Sequence, residues 1–96
     1  MPNNQPWSVY LIRCADGALY TGISTDVQRR FDAHQSNRGA RRLRGRGPLQ
    51  LVYAQAVGER GLALQVEHRI KRLNKTEKER LVRGELPLPR PTTIEA

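Results

Sequence analysis

Three polar side chains fall where helical spacing calls for apolar ones, and their types are those that handle anions and protons. Over Val27 to His34, the residues Val27, Arg30, Phe31 and His34 stand at i, i+3, i+4 and i+7, so a guanidinium and an imidazole share the stripe that carries the core anchors. Ala63, Val66, Glu67 and Ile70 repeat that spacing further on, with Glu67 as the lone acid. Burying such groups costs free energy unless they are paired or used. A guanidinium offers planar paired donors to an oxyanion, an imidazole moves a proton near neutral pH, and a carboxylate is a hard oxygen donor. Each residue also has a plain structural reading. Arg30 lays its stem on the core with its head in water, His34 closes a helix end, and Glu67 pairs with Lys71 one turn on.

Two tyrosines add phenols, and their placement depends on a turn. Trp7 to Cys14 and Leu19 to Ile23 are rich in β-branched and aromatic residues and read as strands, with Asp16-Gly17 between them as a hairpin signal. A two-residue loop at Asp16-Gly17 gives pairs summing to 33 and puts Tyr10 and Tyr20 on opposite faces. A three-residue loop, Ala15-Asp16-Gly17 with Gly17 left-handed, gives pairs summing to 32, with Tyr10 opposite Gly22 and Tyr20 opposite Ile12. The second is favoured, since glycine suits the left-handed position and both phenols then share a face with bare Gly22 between them. Either tyrosine could instead be an ordinary strand aromatic.

The remaining elements must bring these groups together. Thr25-Asp26-Val27-Gln28 fits a capping box and opens a helix to about Gln35. Ser36 to Pro48, with five arginines and three glycines, reads as a loop, and Leu49 to Val57 as a third strand. Ala63, Val66, Ile70 and Leu73 mark a helix from about Gly61 to Leu73. Thr76-Glu77-Lys78-Glu79 signals a short final helix, with Gly84 as its left-handed cap. The order of strand, strand, helix, strand, helix, helix predicts an α+β domain over 1–83, a three-stranded antiparallel sheet flanked by helices. A Pro-rich stretch, 84–96, reads as an extended, mobile tail.

Charge and composition narrow the function. The 96 residues carry 17 Lys plus Arg against 9 Asp plus Glu, a net charge of +8, which makes a polyanion the expected partner. A single cysteine, Cys14, excludes an intramolecular disulfide framework, and with two histidines it excludes a closed zinc cluster free of carboxylates. No stretch approaches the roughly 18 apolar residues of a membrane span, so the expectation is a cytoplasmic protein with no membrane partner. Arg38, Arg41, Arg42, Arg44 and Arg46 in the loop, with Arg69, Lys71, Arg72 and Lys75 beyond it, are the expected grip on backbone phosphates, the alternative being a solvated basic loop.

Ser8-Val9-Tyr10, then Tyr20-Thr21-Gly22, Arg30 eight residues after that glycine, His34 one turn later and Glu67 on a following helix resemble the GIY-YIG nuclease domain. The match runs from about Trp7 to Val82. Leu-Tyr-Thr-Gly-Ile-Ser-Thr-Asp-Val and Leu-Ala-Leu-Gln-Val-Glu-His-Arg-Ile-Lys are similar to the small stand-alone bacterial members of the YhbQ type. Ser8 replaces the usual glycine of the first motif, and the asparagine that many members carry after the glutamate has in Asn74 no counterpart of fixed register.

The resemblance implies metal-dependent cutting of a DNA phosphodiester, with RNA as a further substrate class, in repair or recombination and selective for structure. It implies catalytic roles for Tyr10, Tyr20, Arg30, His34 and Glu67. Glu67 holds one Mg2+ or Mn2+, Arg30 binds the phosphate, and Tyr10 activates water with help from Tyr20 or His34. A phenol has a reference pKa of about 10, so that role needs the cation and Arg30 beside it. The rival expectation is a non-catalytic nucleic-acid-binding protein on the same scaffold. A third is a nicking adaptor whose targeting a protein partner supplies.

Overall fold

The computed structural model describes residues 5–90. Three strands, β1 (Trp7–Arg13), β2 (Leu19–Ser24) and β3 (Gln50–Gly58), form an antiparallel sheet in the order β2-β1-β3. Among the described residues three α-helices accompany it: α1 (Val27–Gln35), α2 (Arg60–Lys71) and α3 (Lys75–Val82). This is the expected α+β architecture and element order. Among the described residues no helix is long and apolar enough to cross a membrane.

Central β1 is buried on both faces, which explains its unbroken apolar run Val9-Tyr10-Leu11-Ile12, each residue at most 1% exposed. Alternation sends Val9 and Leu11 to one face, where they pack with Val66 and Ile70 of α2 and Leu81 of α3. Tyr10, Ile12 and Cys14 point to the other, against Leu43 and Leu49, with Val27 and Phe31 of α1 packed on them. The hairpin register follows the sum of 32. Tyr10 pairs with Gly22 and Ile12 with Tyr20, around a turn in which Gly17 has φ of +90°.

Local details depart from the sequence reading where a better partner competes. Asp26, not Thr25, caps α1 by accepting the Arg29 amide at 3.1 Å; Ser24 Oγ accepts the Asp26 amide, and Gln28 turns to Asp32. The capping box of α3 is Asn74 with Glu77, at 2.8 and 3.0 Å, two residues earlier than Thr76 with Glu79. Asn74 is thereby occupied as a cap. Glu79 is engaged elsewhere, taking a paired grip from Arg13 at 2.6 and 2.7 Å and an ion pair from Lys75 at 3.0 Å. These cations hold its carboxyl down at about 2.

Helix α2 stops at Lys71 rather than Leu73, because the Arg72 and Leu73 amides turn back to Arg69 and Ile70 carbonyls. Gly84, at φ +76°, ends α3 as expected, its amide bonding Leu81 O while the Glu85 amide bonds Arg80 O. The loop after α1 is not featureless: Arg41–Leu43 forms one 3-10 turn that buries Leu43. Beyond Gly84, Leu86 and Leu88 pack on the α2 face, so this part of the expected tail lies against the domain; its portion 91–96 lies outside the described residues.

Candidate active site

On the α1 face three rings meet. The centroids of Tyr10 and Tyr20 lie 6.5 Å apart, those of Tyr10 and His34 6.1 Å, and those of Tyr20 and His34 5.6 Å in an edge arrangement. The hairpin register supplies the two phenols, and the last turn of α1 supplies the imidazole. Gly22 is bare because the Tyr10 phenol lies across it, so a Cβ there would collide with the hydroxyl end of the ring.

Tyr10 Oη and His34 Nε2 are 3.0 Å apart, and both residues are 1% exposed. The backbone fixes which atom donates. The Ala40 amide donates to His34 Nδ1 at 3.1 Å, so Nδ1 is unprotonated and the proton of the neutral ring sits on Nε2. His34 Nε2–H therefore donates to Tyr10 Oη, and the hydroxyl proton of Tyr10 is left to donate elsewhere. Burial, then the charge of Arg30, pushes the His34 pKa below its ordinary value, which keeps the ring neutral near pH 7. Burial and Tyr20 push the Tyr10 phenol up to about 12, against the hydrogen-bonding and charge of Arg30, which pull it down; Glu67 adds a smaller upward push.

The expected residues thus converge to different degrees. Tyr10, Tyr20 and His34 are in ring contact. Arg30 is exposed on α1 with its guanidinium in reach of the Tyr10 phenol. Glu67, with 17% of its side chain exposed, lies within electrostatic range of Tyr10 while pairing with Lys71 Nζ at 3.3 Å. The Lys71 pair of the plain structural reading is thus present, and it leaves the carboxylate facing the phenols. Among the described residues no three His, Cys, Asp or Glu side chains gather into a metal cluster. A lone carboxylate nonetheless suits a hard cation that keeps its waters and takes further oxygens from a phosphate.

Of the cations expected to grip phosphate, Arg38, Arg41, Arg42, Arg44, Arg69 and Arg72 are exposed and form no ion pair among the described residues. Arg46 and Lys75 have structural engagements. Arg46 pairs with Asp16 at 2.8 Å, and its carbonyl accepts the Ala15 amide. Lys75 pairs with Glu79 and donates to the Gly17 carbonyl. Lys71 is tied to Glu67.

Sequence reasoning missed Gly39 and Ala40. A Cβ on Gly39 would run into the His34 ring, and the next amide fixes that ring's tautomer. The only outward sign is a Gly-Ala pair interrupting the arginine run.

The GIY-YIG catalytic-domain model matches residues 6–80. A UPF0213 protein of Citrobacter koseri is 64% identical over 77 residues, covering 80% of this chain and 77% of that protein. The UPF0213 protein YhbQ of Escherichia coli K12 is 60% identical with the same coverage of both chains. Among solved structures, a UPF0213 protein of Bacillus halodurans is 42% identical with a TM-score of 0.54, over 82% of this chain and 84% of that one. A protein of E. faecalis is 30% identical with a TM-score of 0.60, over 88% and 90%. With the family's sequence pattern running through the domain and its phenols and imidazole gathered on one face, the chain belongs to the GIY-YIG nuclease family.

Proposed function

We propose that the protein is a divalent-metal-dependent DNA endonuclease that hydrolyses phosphodiester bonds at the Tyr10–His34 pair, with Tyr20, Arg30 and Glu67 completing the site. The observation that carries this reading is the buried hydrogen bond from His34 Nε2 to Tyr10 Oη, whose direction the Ala40 amide sets. Beside that bond lie Tyr20 in ring contact and Arg30 in reach of the phenol, so groups able to handle a proton and an oxyanion are gathered on one face.

Glu67 is the residue that would hold Mg2+ or Mn2+. When bound, such an ion neutralises charge growing on the phosphoryl oxygens and favours ionisation of nearby acids. Arg30 binds a phosphoryl oxygen through its planar donors. With its pKa up at about 12, Tyr10 rests as a neutral phenol that orients the attacking water. When its proton passes to solvent, the phenolate oxygen accepts from His34 Nε2–H and faces Arg30, so both neighbours favour the charged form, and that oxygen then takes a proton from the attacking water. Tyr20 closes the third side of the pocket and limits water around the pair.

The basic loop carries the strand without reading bases, and the substrate is selected by shape, as in repair or recombination in the cytoplasm. RNA is the second substrate class, and a protein partner supplies targeting.

The rival reading, a nucleic-acid-binding protein that does not cut, draws on the Glu67–Lys71 pair, which occupies the one acid of the site. Incubating plasmid, branched DNA and RNA with Mg2+ or Mn2+ separates the two. Wild type is expected to cut in a metal-dependent way, whereas Glu67→Ala and Tyr10→Phe are expected to bind without cutting. Binding by all three proteins with no metal-dependent cut in any would establish the rival.

A further inference from the structure

Next to the phenols, the open edge of the sheet holds a cleft of about 250 Å3 that the hydrolytic chemistry leaves unused. Tyr20 forms one wall, and Leu19, Thr21, Arg42, Lys71 and Lys78 are among its other lining residues. Arg46 also lines it, which brings four cations to one cleft with no carboxylate among the lining residues. Arg42 and Lys78 form no ion pair among the described residues.

Two further features are neutral and point the same way. Strand β2 lies at the edge of the sheet, and the Cys14 amide bonds Ala18 O, so the hydrogen-bonded pairs run through Ala18, Tyr20 and Gly22. Leu19 and Thr21 therefore turn their backbone N–H groups away from β1, toward the open edge and the cleft. The Thr21 hydroxyl, on a residue 3% exposed, is also buried without a hydrogen-bond partner among the described residues. Unpaired edge amides and unpartnered cations supply the donors of an anion site, beside the Leu19 and Thr21 carbonyls that share the open edge, and the buried Thr21 hydroxyl lies next to them without a partner among the described residues.

We propose that the β2-edge cleft is a phosphate-binding subsite that holds a phosphate group of a nucleic-acid strand beside the hydrolytic centre. Its neighbours define its place. Tyr20 belongs to both pockets, and Lys71 joins the cleft to Glu67. A strand lying across Tyr20 thus puts one phosphate among the phenols and another in the cleft, which fixes the path along which the strand crosses. The nucleic-acid origin of the phosphate rests on the nuclease reading; the anion site itself does not.

The test is a 15N–1H NMR titration of the full chain without any divalent cation, using inorganic phosphate and then short single-stranded oligodeoxynucleotides bearing a 5′-hydroxyl or a 5′-phosphate. The Leu19 and Thr21 amides are expected to shift and saturate, and affinity to fall about tenfold or more in Arg42→Gln/Lys78→Gln, the loss expected from charge-assisted hydrogen bonds. Thr21→Val is expected to weaken binding while leaving Tm unchanged or higher, since it removes an orphan hydroxyl; a merely structural threonine would leave affinity alone. Equal affinity for the two oligonucleotides assigns the phosphate to the interior of a strand and tighter binding of the 5′-phosphate assigns it to an end, and either supports the subsite. Amides at 19 and 21 that stay still, or that move equally in the double variant as for an adventitious ion only, overturn it. Because no cutting is read, a protein that never cleaves DNA can still show the subsite, and an active nuclease can still lack it.

Discussion

The two faces of the sheet are made from the same strand and built to different rules. Behind β1, Val9 and Leu11 meet Val66, Ile70 and Leu81 in a cluster whose buried members are all aliphatic, so side-chain volume is what matters there. In front of it, Tyr10 meets His34 and Tyr20, where polar atoms are buried in fixed hydrogen bonds and two glycines are bare so that rings can lie against backbone. The back face has no titratable group in its buried cluster. The front face buries a phenol and an imidazole whose pKa values burial moves apart, up for Tyr10 and down for His34. The contrast teaches that burial has separate effects on the two faces: on one it stabilises the fold, on the other it also sets protonation states.

Substitutions on either side should separate the two effects. The largest expected effect is Tyr10→Phe, which lowers metal-dependent cleavage by about 10²–10⁴-fold if the phenol handles the attacking water. Because it strands His34 Nε2–H without an acceptor, it also costs about 1–3 kcal/mol of stability, measured by denaturant unfolding. Ile70→Ala on the back face reverses the pattern: about 2–5 kcal/mol of stability is lost, while cleavage per folded molecule is unchanged well below Tm. A matching loss of activity in Ile70→Ala would erase the distinction between the faces.

Gly39→Ala is expected to act on the front face alone. A Cβ there forces the His34 ring off its amide, which should cost about 1–3 kcal/mol and move the His34 imidazole 15N shifts away from a pure Nε2–H tautomer. Unmoved imidazole shifts would show that the Gly39–Ala40 backbone does not position the ring.

Acid should dismantle the molecule in two stages. The folded-state pKa of His34 is lowered from 6.5, so the unfolded chain binds that proton more readily, and stability is lost as pH falls below about 6.5. Glu79, held at about 2 against an ordinary 4.5, contributes stability that is present above 4.5 and fades as pH falls toward 2. In a thermal-unfolding series, His34→Gln should remove the upper stage, and Glu79→Gln the lower.

Much of this was legible before any coordinates. The period-2 and period-3.6 patterns identify the elements, and the turn chemistry of Ala15-Asp16-Gly17 sets the register that unites Tyr10 and Tyr20. Arg30, His34 and Glu67 stood out because each interrupts an apolar stripe. What was not legible depends on competition or on backbone contacts. Thr25 and Asp26 are both competent caps, and only the Ser24 turn selects between them; Asn74 wins its cap while Glu79 is drawn off by Arg13 on another element. Leu43 is one apolar residue in a basic loop, too isolated to show a periodicity. The Gly39–Ala40 support of His34 uses a missing side chain and an amide, neither of which leaves a pattern in residue types.

The most direct test of a buried phenol as the working group is the pH dependence of single-turnover cleavage for wild type and Arg30→Gln at saturating metal. Arg30 pulls the phenol down, so the account predicts a rate that climbs with pH in the wild type and a climb displaced to higher pH in the variant. A flat profile, or one that Arg30→Gln scales down without displacing, would contradict it.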